Sequence, residues 1–259
     1  MKPRTSGVSL VEVIVAAGIS MLIIAFTISA SIAISKFAQQ SLITRVIDSQ
    51  TTQGSDAIAK ELRDGVSILS SATVAEKTYT TSSTCIVFSA VSYDFSKANP
   101  ILGATDTVVF TYAMARSQIS RTCSAGADSK RPTSFESPIV TTTDAQFIYR
   151  VAEAIDWLNS SSTTLTETFK LAAIPSEQPS CTRNGLTIPC TWQPGSQSLS
   201  LQTPAGASML GIQYKVSPSA ATCPQITSVE IQVKRTSPSL MGTVSTVPHI
   251  TEARLRNKR

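Results

Sequence analysis

Few residues in this chain are of types that do chemistry, and their spacing first says what the chain is not. Its five cysteines, Cys85, Cys123, Cys181, Cys190 and Cys223, form no Cys-x-x-Cys pair, and His249 is the single histidine. Protein zinc sites need several clustered thiolate or imidazole ligands, so no metal site is expected. Asp94, Asp106 and Asp128 are too dispersed for an EF-hand calcium loop, while calcium held by irregular loops stays open. The chain lacks Gly-x-Ser-x-Gly, His-Glu-x-x-His and the glycine-rich loops that cradle phosphates or dinucleotides. His249 follows Pro248 and has no marked nucleophile or carboxylate to serve, so it reads as a structural histidine. No catalytic residue and no cofactor are expected, and the chain reads as a non-enzyme.

Two other groups carry more. Cysteines scattered through an exported chain suggest disulfides formed in an oxidising compartment. Cys181 and Cys190 bracket Asn184-Gly185, a turn dipeptide able to fold the two thiols together. A Cys181–Cys190 bridge would contribute roughly 2.5–3 kcal/mol by the chain-entropy argument. Cys85–Cys123 is a second pairing, which leaves Cys223 over; buried reduced thiols are the alternative. The other group is Glu12. From Val13 to Ser35 there are 23 uncharged residues, and the next charge is Lys36. A carboxylate in a membrane span costs on the order of 2.5–3.5 kcal/mol and needs a cationic partner.

The element that positions Glu12 is a helix. Twenty-three residues at about 1.5 Å each make roughly 35 Å, enough to cross a bilayer. Lys2 and Arg4 precede the span, so that end is expected to stay cytoplasmic and the rest to face the periplasm or exterior. A cleaved secretory signal fits poorly, because the apolar run is long and flows into further helical pattern. Ile43, Val46, Ile47, Gln50, Ala57, Ile58, Leu62 and Val66 recur at mostly three- and four-residue steps. The reading is one helix from Val8 to Asp64, with Gly54 a soft point and Gly65 its end. Its first half is apolar all round. Its second half is amphipathic and should pack on a sheet.

Beyond the helix the pattern turns to strands: Cys85–Val91, Thr107–Tyr112, Ala145–Val151, Leu165–Leu171, Ser198–Leu201, Leu210–Val216, Ile226–Lys234 and His249–Leu255. Val229-Glu230-Ile231-Gln232-Val233-Lys234 alternates cleanly. A short helix is expected over 151–159. Ser-, Thr- and Pro-rich connections separate the strands, and few spacers are long enough for helical crossovers, so the sheet should be antiparallel. The fold class is α+β. The segments are a short basic stretch at 1–7 (a leader, on the resemblance given next), an apolar helix half at 8–35, an amphipathic half at 36–66 and a β-rich domain at 67–259.

Gly7 followed by Val8-Ser9-Leu10-Val11-Glu12-Val13, behind Lys2 and Arg4, resembles the class III leader and mature N-terminus of type IV prepilins and type II secretion pseudopilins. The resemblance implies that a membrane prepilin peptidase cuts between Gly7 and Val8. It also implies that Val8 becomes an N-methylated N-terminus. Glu12, fifth in the mature chain, would then pair with the terminal amine of a neighbouring subunit. The family usually starts with phenylalanine where this chain has Val8. Ala57-Ile58-Ala59-Lys60-Glu61-Leu62-Arg63-Asp64 resembles the helix-end segment of PilW-type minor pilins and J-type minor pseudopilins. Ala253-Arg254-Leu255-Arg256-Asn257 resembles the basic ending of PilW-like sequences. A pilin-like fold follows: a long transmembrane and amphipathic helix, then an antiparallel β-domain. The implied role is a minor pilin or pseudopilin, a structural subunit that primes or caps a filament. A type II secretion or DNA-uptake pseudopilin, a membrane-anchored adhesin and an anchored periplasmic enzyme are the rivals.

Composition agrees with a folded, exported subunit. Charged residues are 15% of the chain and apolar residues 42%, which is globular rather than disordered. The net charge of +5 is concentrated at the ends, in Lys2 and Arg4 and in Arg254, Arg256, Lys258 and Arg259. No basic stripe interleaves with aromatics, so nucleic acid is not an expected partner and the C-terminal cluster reads as a solvated tail. The expected partners are the prepilin peptidase, other major and minor pilins or pseudopilins, an inner-membrane assembly platform and membrane lipid. The expected location is the bacterial inner membrane, single-pass with the β-domain in the periplasm. From there the subunit would enter a pilus or pseudopilus, including a cell-surface tip.

Overall fold

The structure is a computed structural model that describes residues 9–94, 99–126, 129, 131–239, 242–245 and 248–256. One helix, α1 (Leu10–Arg63), is followed by antiparallel strands, an α+β arrangement. The strands are β1 (Gly65–Ile68), β2 (Ser71–Val74), β3 (Lys77–Thr80), β4 (Cys85–Asp94), β5 (Asn99–Ala113), β6 (Gln118–Ser124), β7 (Ser134–Thr141), β8 (Asp144–Asn159) and β9 (Leu165–Lys170). They continue as β10 (Ser180–Arg183), β11 (Leu186–Ile188), β12 (Cys190–Gln193), β13 (Ser198–Thr203), β14 (Gly206–Val216), β15 (Ser228–Lys234), β16 (Thr236–Ser239), β17 (Gly242–Ser245) and β18 (His249–Arg254).

The chain divides into two units. The first holds α1 as far as Ile47, with Ser237–Val244. Its helical residues leave their apolar side chains bare: Leu10, Val13, Ile14, Leu22, Phe26 and Ile34 are all more than half exposed. Such a surface is unfavourable in water and is what a lipid or a helical partner would cover. By length and composition this part of α1 can cross a membrane.

The second unit, Asp48–Thr236 with Ser245–Arg259, contains the core. Here α1 becomes amphipathic: Ile58, Ala59 and Leu62 are fully buried while Asp56, Lys60 and Arg63 face solvent. They join a core built from a five-stranded sheet of order β1-β4-β5-β6-β7 and a six-stranded sheet of order β11-β10-β14-β8-β15-β18. Alternation explains who is inside. Val229, Ile231 and Val233 of β15 are wholly buried, and Glu230, Gln232 and Lys234 lie between them. Phe88 and Phe110 stack across β4 and β5 with centroids 6.0 Å apart. A smaller cluster, Val74, Tyr79, Cys85, Val87 and Val109, lies on the other face of the five-stranded sheet, under the β2–β3 hairpin.

Three local expectations change. The helix expected over 151–159 is the second half of strand β8. Its alanines and Glu153 favour helix, but β14 pairs with it residue for residue from Tyr149↔Val216 to Asn159↔Gly206, and that ladder overrides the local preference. Gly54 is not a soft point. A Cβ there would lie 2.4 Å from Val140 Cβ, so the glycine lets the helix backbone sit against β7 without a break. Finally, Cys85 and Cys123 are not bridged. Cys85 faces the small cluster and Cys123 the main core, on opposite faces of one sheet. Both are buried free thiols, as is Cys223.

Cys181 and Cys190 do form a disulfide, with Cα atoms 6.2 Å apart. Between them Asn184 (φ 50°) and Gly185 (φ 79°) turn β10 back on β11, both in the left-handed region that a tight hairpin of this kind demands. Near the C-terminus Leu255 turns inward: it is 1% exposed, its Cδ2 3.0 Å from where a Gly65 Cβ would be. Leu255 thus packs at the foot of α1, and its N–H is held by the Thr227 carbonyl at 3.0 Å.

Candidate functional site

The first described residue, Ser9, caps α1. The Glu12 N–H donates to Ser9 Oγ at 3.3 Å, and the Ser9 N–H donates to Glu12 Oε2 at 2.9 Å. The Val13 N–H reaches the Ser9 carbonyl at 3.3 Å. This is a reciprocal capping box, with Ser9 at the N-cap and Glu12 three residues on. It satisfies donors that the first turn would otherwise leave open, and it sets a negative charge against the positive end of the helix dipole. Among the described residues, Glu12 Oε1 takes no hydrogen bond. Ser9 and Glu12 are exposed, flanked by exposed Leu10, Val11, Val13 and Ile14. The site is therefore an anion held in place at the start of a bare apolar helix, with one oxygen spoken for and one open to a cation. The Gly7–Val8 bond and the Val8 amine lie outside the described residues.

Ser9 and Glu12 also carry a Ser-x-x-Glu spacing, the sequence signal of a capping box, which the charge of Glu12 alone does not reveal. What it adds is geometry. A serine one residue after Val8 fixes the carboxylate's rotamer, so Glu12 is presented rather than left to wander.

A second charged group sits within the β-rich unit. Glu61, in the last turn of α1, accepts from Arg121 Nε at 2.8 Å and Nη2 at 2.6 Å, and from Arg131 Nη1 at 2.8 Å. Arg131 also donates from Nε to Asp106 Oδ2 at 3.1 Å and from Nη2 to the Val91 carbonyl at 3.2 Å, and Asp64 lies 3.8 Å away. Asp106 accepts further from the Ser92 hydroxyl, the Gly126 N–H and the Ser129 hydroxyl at 2.8–2.9 Å. Both guanidiniums are about 10% exposed and Asp106 not at all. Burial alone would push the Asp106 carboxyl up, but these donors and Arg131 outweigh it and hold it below the ordinary carboxylate value. The network ties the foot of α1 to β5, β6 and the segment before β7. None of it was legible as a site, because Glu61 lies 60 and 70 residues from the two arginines that meet it.

The remaining sequence candidates fall elsewhere. Asp106 is saturated with donors, so it is a poor cation ligand, and Asp128 lies outside the described residues. Among the described residues, no three His, Cys, Asp or Glu side chains converge as metal ligands. His249 opens the edge strand β18, its Nε2 2.9 Å from the Thr251 hydroxyl. Of the C-terminal basic cluster, Arg254 is exposed, and residues 257–259 lie outside the described residues.

Compared with known proteins, the chain matches no family model, no curated protein and no solved structure.

Proposed function

We propose that the chain is a minor pilin or minor pseudopilin, a non-enzymatic subunit that primes or caps a type IV pilus-like filament. The observation that carries this reading is Glu12, a carboxylate capped onto the first turn of an apolar helix and left with one open oxygen. In a bilayer such a charge costs on the order of 2.5–3.5 kcal/mol at the centre, less near the interface. The Ser9 cap offsets part of that cost, so the subunit can wait in the inner membrane with its β-rich unit in the periplasm. A neighbour's Val8 amine, freed by a prepilin peptidase, supplies the missing cation when the helices of two subunits pack together. The pair is worth most in the apolar interior of a helix bundle, where either charge alone is uncompensated.

Minor status follows from bulk. A β-rich unit of two large sheets suits a tip or a priming complex better than a tightly repeated shaft. Shearing filaments from the producing cell and quantifying the chain against the main subunit tests this. The chain is expected in the sheared fraction, far below the main subunit. Absence from that fraction overturns filament membership, and dominance overturns the minor role.

A further inference from the structure

The outer face of the five-stranded sheet carries a cavity of about 210 Å³ where the β2–β3 hairpin stops short of covering it. Its floor sets three hydroxyls, on Thr111, Ser120 and Thr122, among apolar surface from Tyr79, Ala113 and Ala115. Thr111 and Ser120 face each other across β5 and β6, and Thr122 follows two residues along β6, so three hydroxyl-bearing residues form a triangle of neighbouring positions on one face of the sheet. Ser120 and Thr122 are buried; Ser120 Oγ accepts from Gln118 Nε2 at 3.2 Å and Thr122 Oγ1 from the Glu136 N–H at 3.1 Å, so what each has left to offer a ligand is chiefly its hydroxyl proton.

The mouth is cationic. Lys77 Nζ is paired with Glu136 Oε1, and Arg116 Nη1 donates to Glu136 Oε2 at 3.1 Å. The Lys77 and Arg116 side chains are 54% and 60% exposed, and each keeps donors beyond the one given to Glu136. Two cations share one carboxylate, so the cluster carries one surplus positive charge. The hydrogen bond that Lys77 donates to Glu136 holds its ammonium above the ordinary value, so that charge persists at neutral pH.

The backbone is bent to make this arrangement. Arg121 pairs with Ser137 and Cys123 with Ser134, so Phe135 and Glu136 together oppose Thr122 in a bulge. Glu136 has φ 43°, in the left-handed region a glutamate rarely adopts, and its N–H donates to Thr122 Oγ1 at 3.1 Å. Strain of this kind persists where surrounding structure over-determines it, and it concentrates at ligand clamps.

We propose that this cavity binds an acidic sugar of the uronic-acid type, its carboxylate on Lys77 and Arg116 and its ring hydroxyls on Thr111, Ser120 and Thr122. A carboxylate alone would use the mouth and leave the hydroxyl triangle idle. A neutral sugar would leave the surplus charge unanswered. An acidic peptide side chain has no hydroxyls to offer the floor.

Titration of the full chain in detergent micelles by ligand-observed saturation-transfer NMR tests the proposal, with glucuronate, glucose, acetate and N-acetylaspartate as probes. Glucuronate should bind saturably and more tightly than the other three. Lys77→Gln and Arg116→Gln should each weaken it at least about tenfold, the loss of one charge-assisted bond. Both side chains are exposed, so unchanged thermal unfolding separates lost binding from lost fold. Thr111→Val should weaken glucuronate but not acetate. No saturable glucuronate binding would overturn the proposal, as would acetate or N-acetylaspartate binding as tightly, or indifference to both charge substitutions.

Discussion

Replacing Glu12 with alanine is expected to cut incorporation of the chain into filaments at least about tenfold while leaving thermal unfolding of the β-rich unit unchanged. The side chain hydrogen-bonds only to Ser9 among the described residues, so its removal frays one helix end and touches no core contact. Two explanations for lost assembly must then be separated, because alanine removes both the cap and the charge. Glu12→Gln separates them. Glutamine can occupy the same position of a capping box, so it keeps the helix end ordered but cannot neutralise an amine. If the open oxygen meets a neighbour's terminal amine, glutamine fails as alanine does. If capping were the whole role, glutamine would assemble normally. Incorporation measured in sheared filaments, with unfolding measured on the same variants, distinguishes these outcomes.

Glu61→Ala is expected to act in the opposite way, on the fold rather than on assembly. It strips the shared acceptor from Arg121 and Arg131, two guanidiniums about 10% exposed. Arg131 keeps Asp106 at 3.1 Å, but Arg121 loses its carboxylate, and removing one partner of a buried ion pair costs roughly 3–5 kcal/mol. For a unit of this size the midpoint of thermal unfolding should fall by on the order of 10 °C. A change of only a degree or two would mean that water screens these charges and that the network is surface decoration. The same network sets a direction with pH. The folded-state value of Asp106 is depressed, so its stabilising contribution is present at neutral pH. That contribution is lost as pH falls below the ordinary carboxylate value and through the lowered one.

What could be read from the sequence, and what could not, divides along physical lines. Apolar length and strict alternation are local, so the bare helix and strands such as β15, with Val229, Ile231 and Val233 inward, were legible residue by residue. So was the Asn184-Gly185 turn, because two consecutive left-handed residues restrict the choice of side chain. Short strands β10 to β12 hid in Ser-, Thr- and Pro-rich sequence that reads equally well as linker. The second half of β8 misled because Ala152, Glu153 and Ala154 prefer helix, and only the pairing with β14, some 60 residues away, decides.

The sites followed the same rule. Glu12 stood out because a lone carboxylate in an apolar run is anomalous in any fold. The Glu61 network and the cavity at Lys77, Arg116 and Glu136 did not, since they exist only once distant strands meet. The Cys85–Cys123 pairing failed for a related reason. Sequence distance carries no information about which face of a sheet a thiol occupies, and β5 lies between the two strands that hold them.

Everything proposed for Glu12 requires a free amine on Val8. The most direct test is to purify the mature protein from its native cell and determine its N-terminus by sequencing and mass. The chain should begin at Val8 and carry one methyl group on its amine. A protein that keeps Met1, or is cut at any bond other than Gly7–Val8, would leave Glu12 without its partner and contradict the filament role.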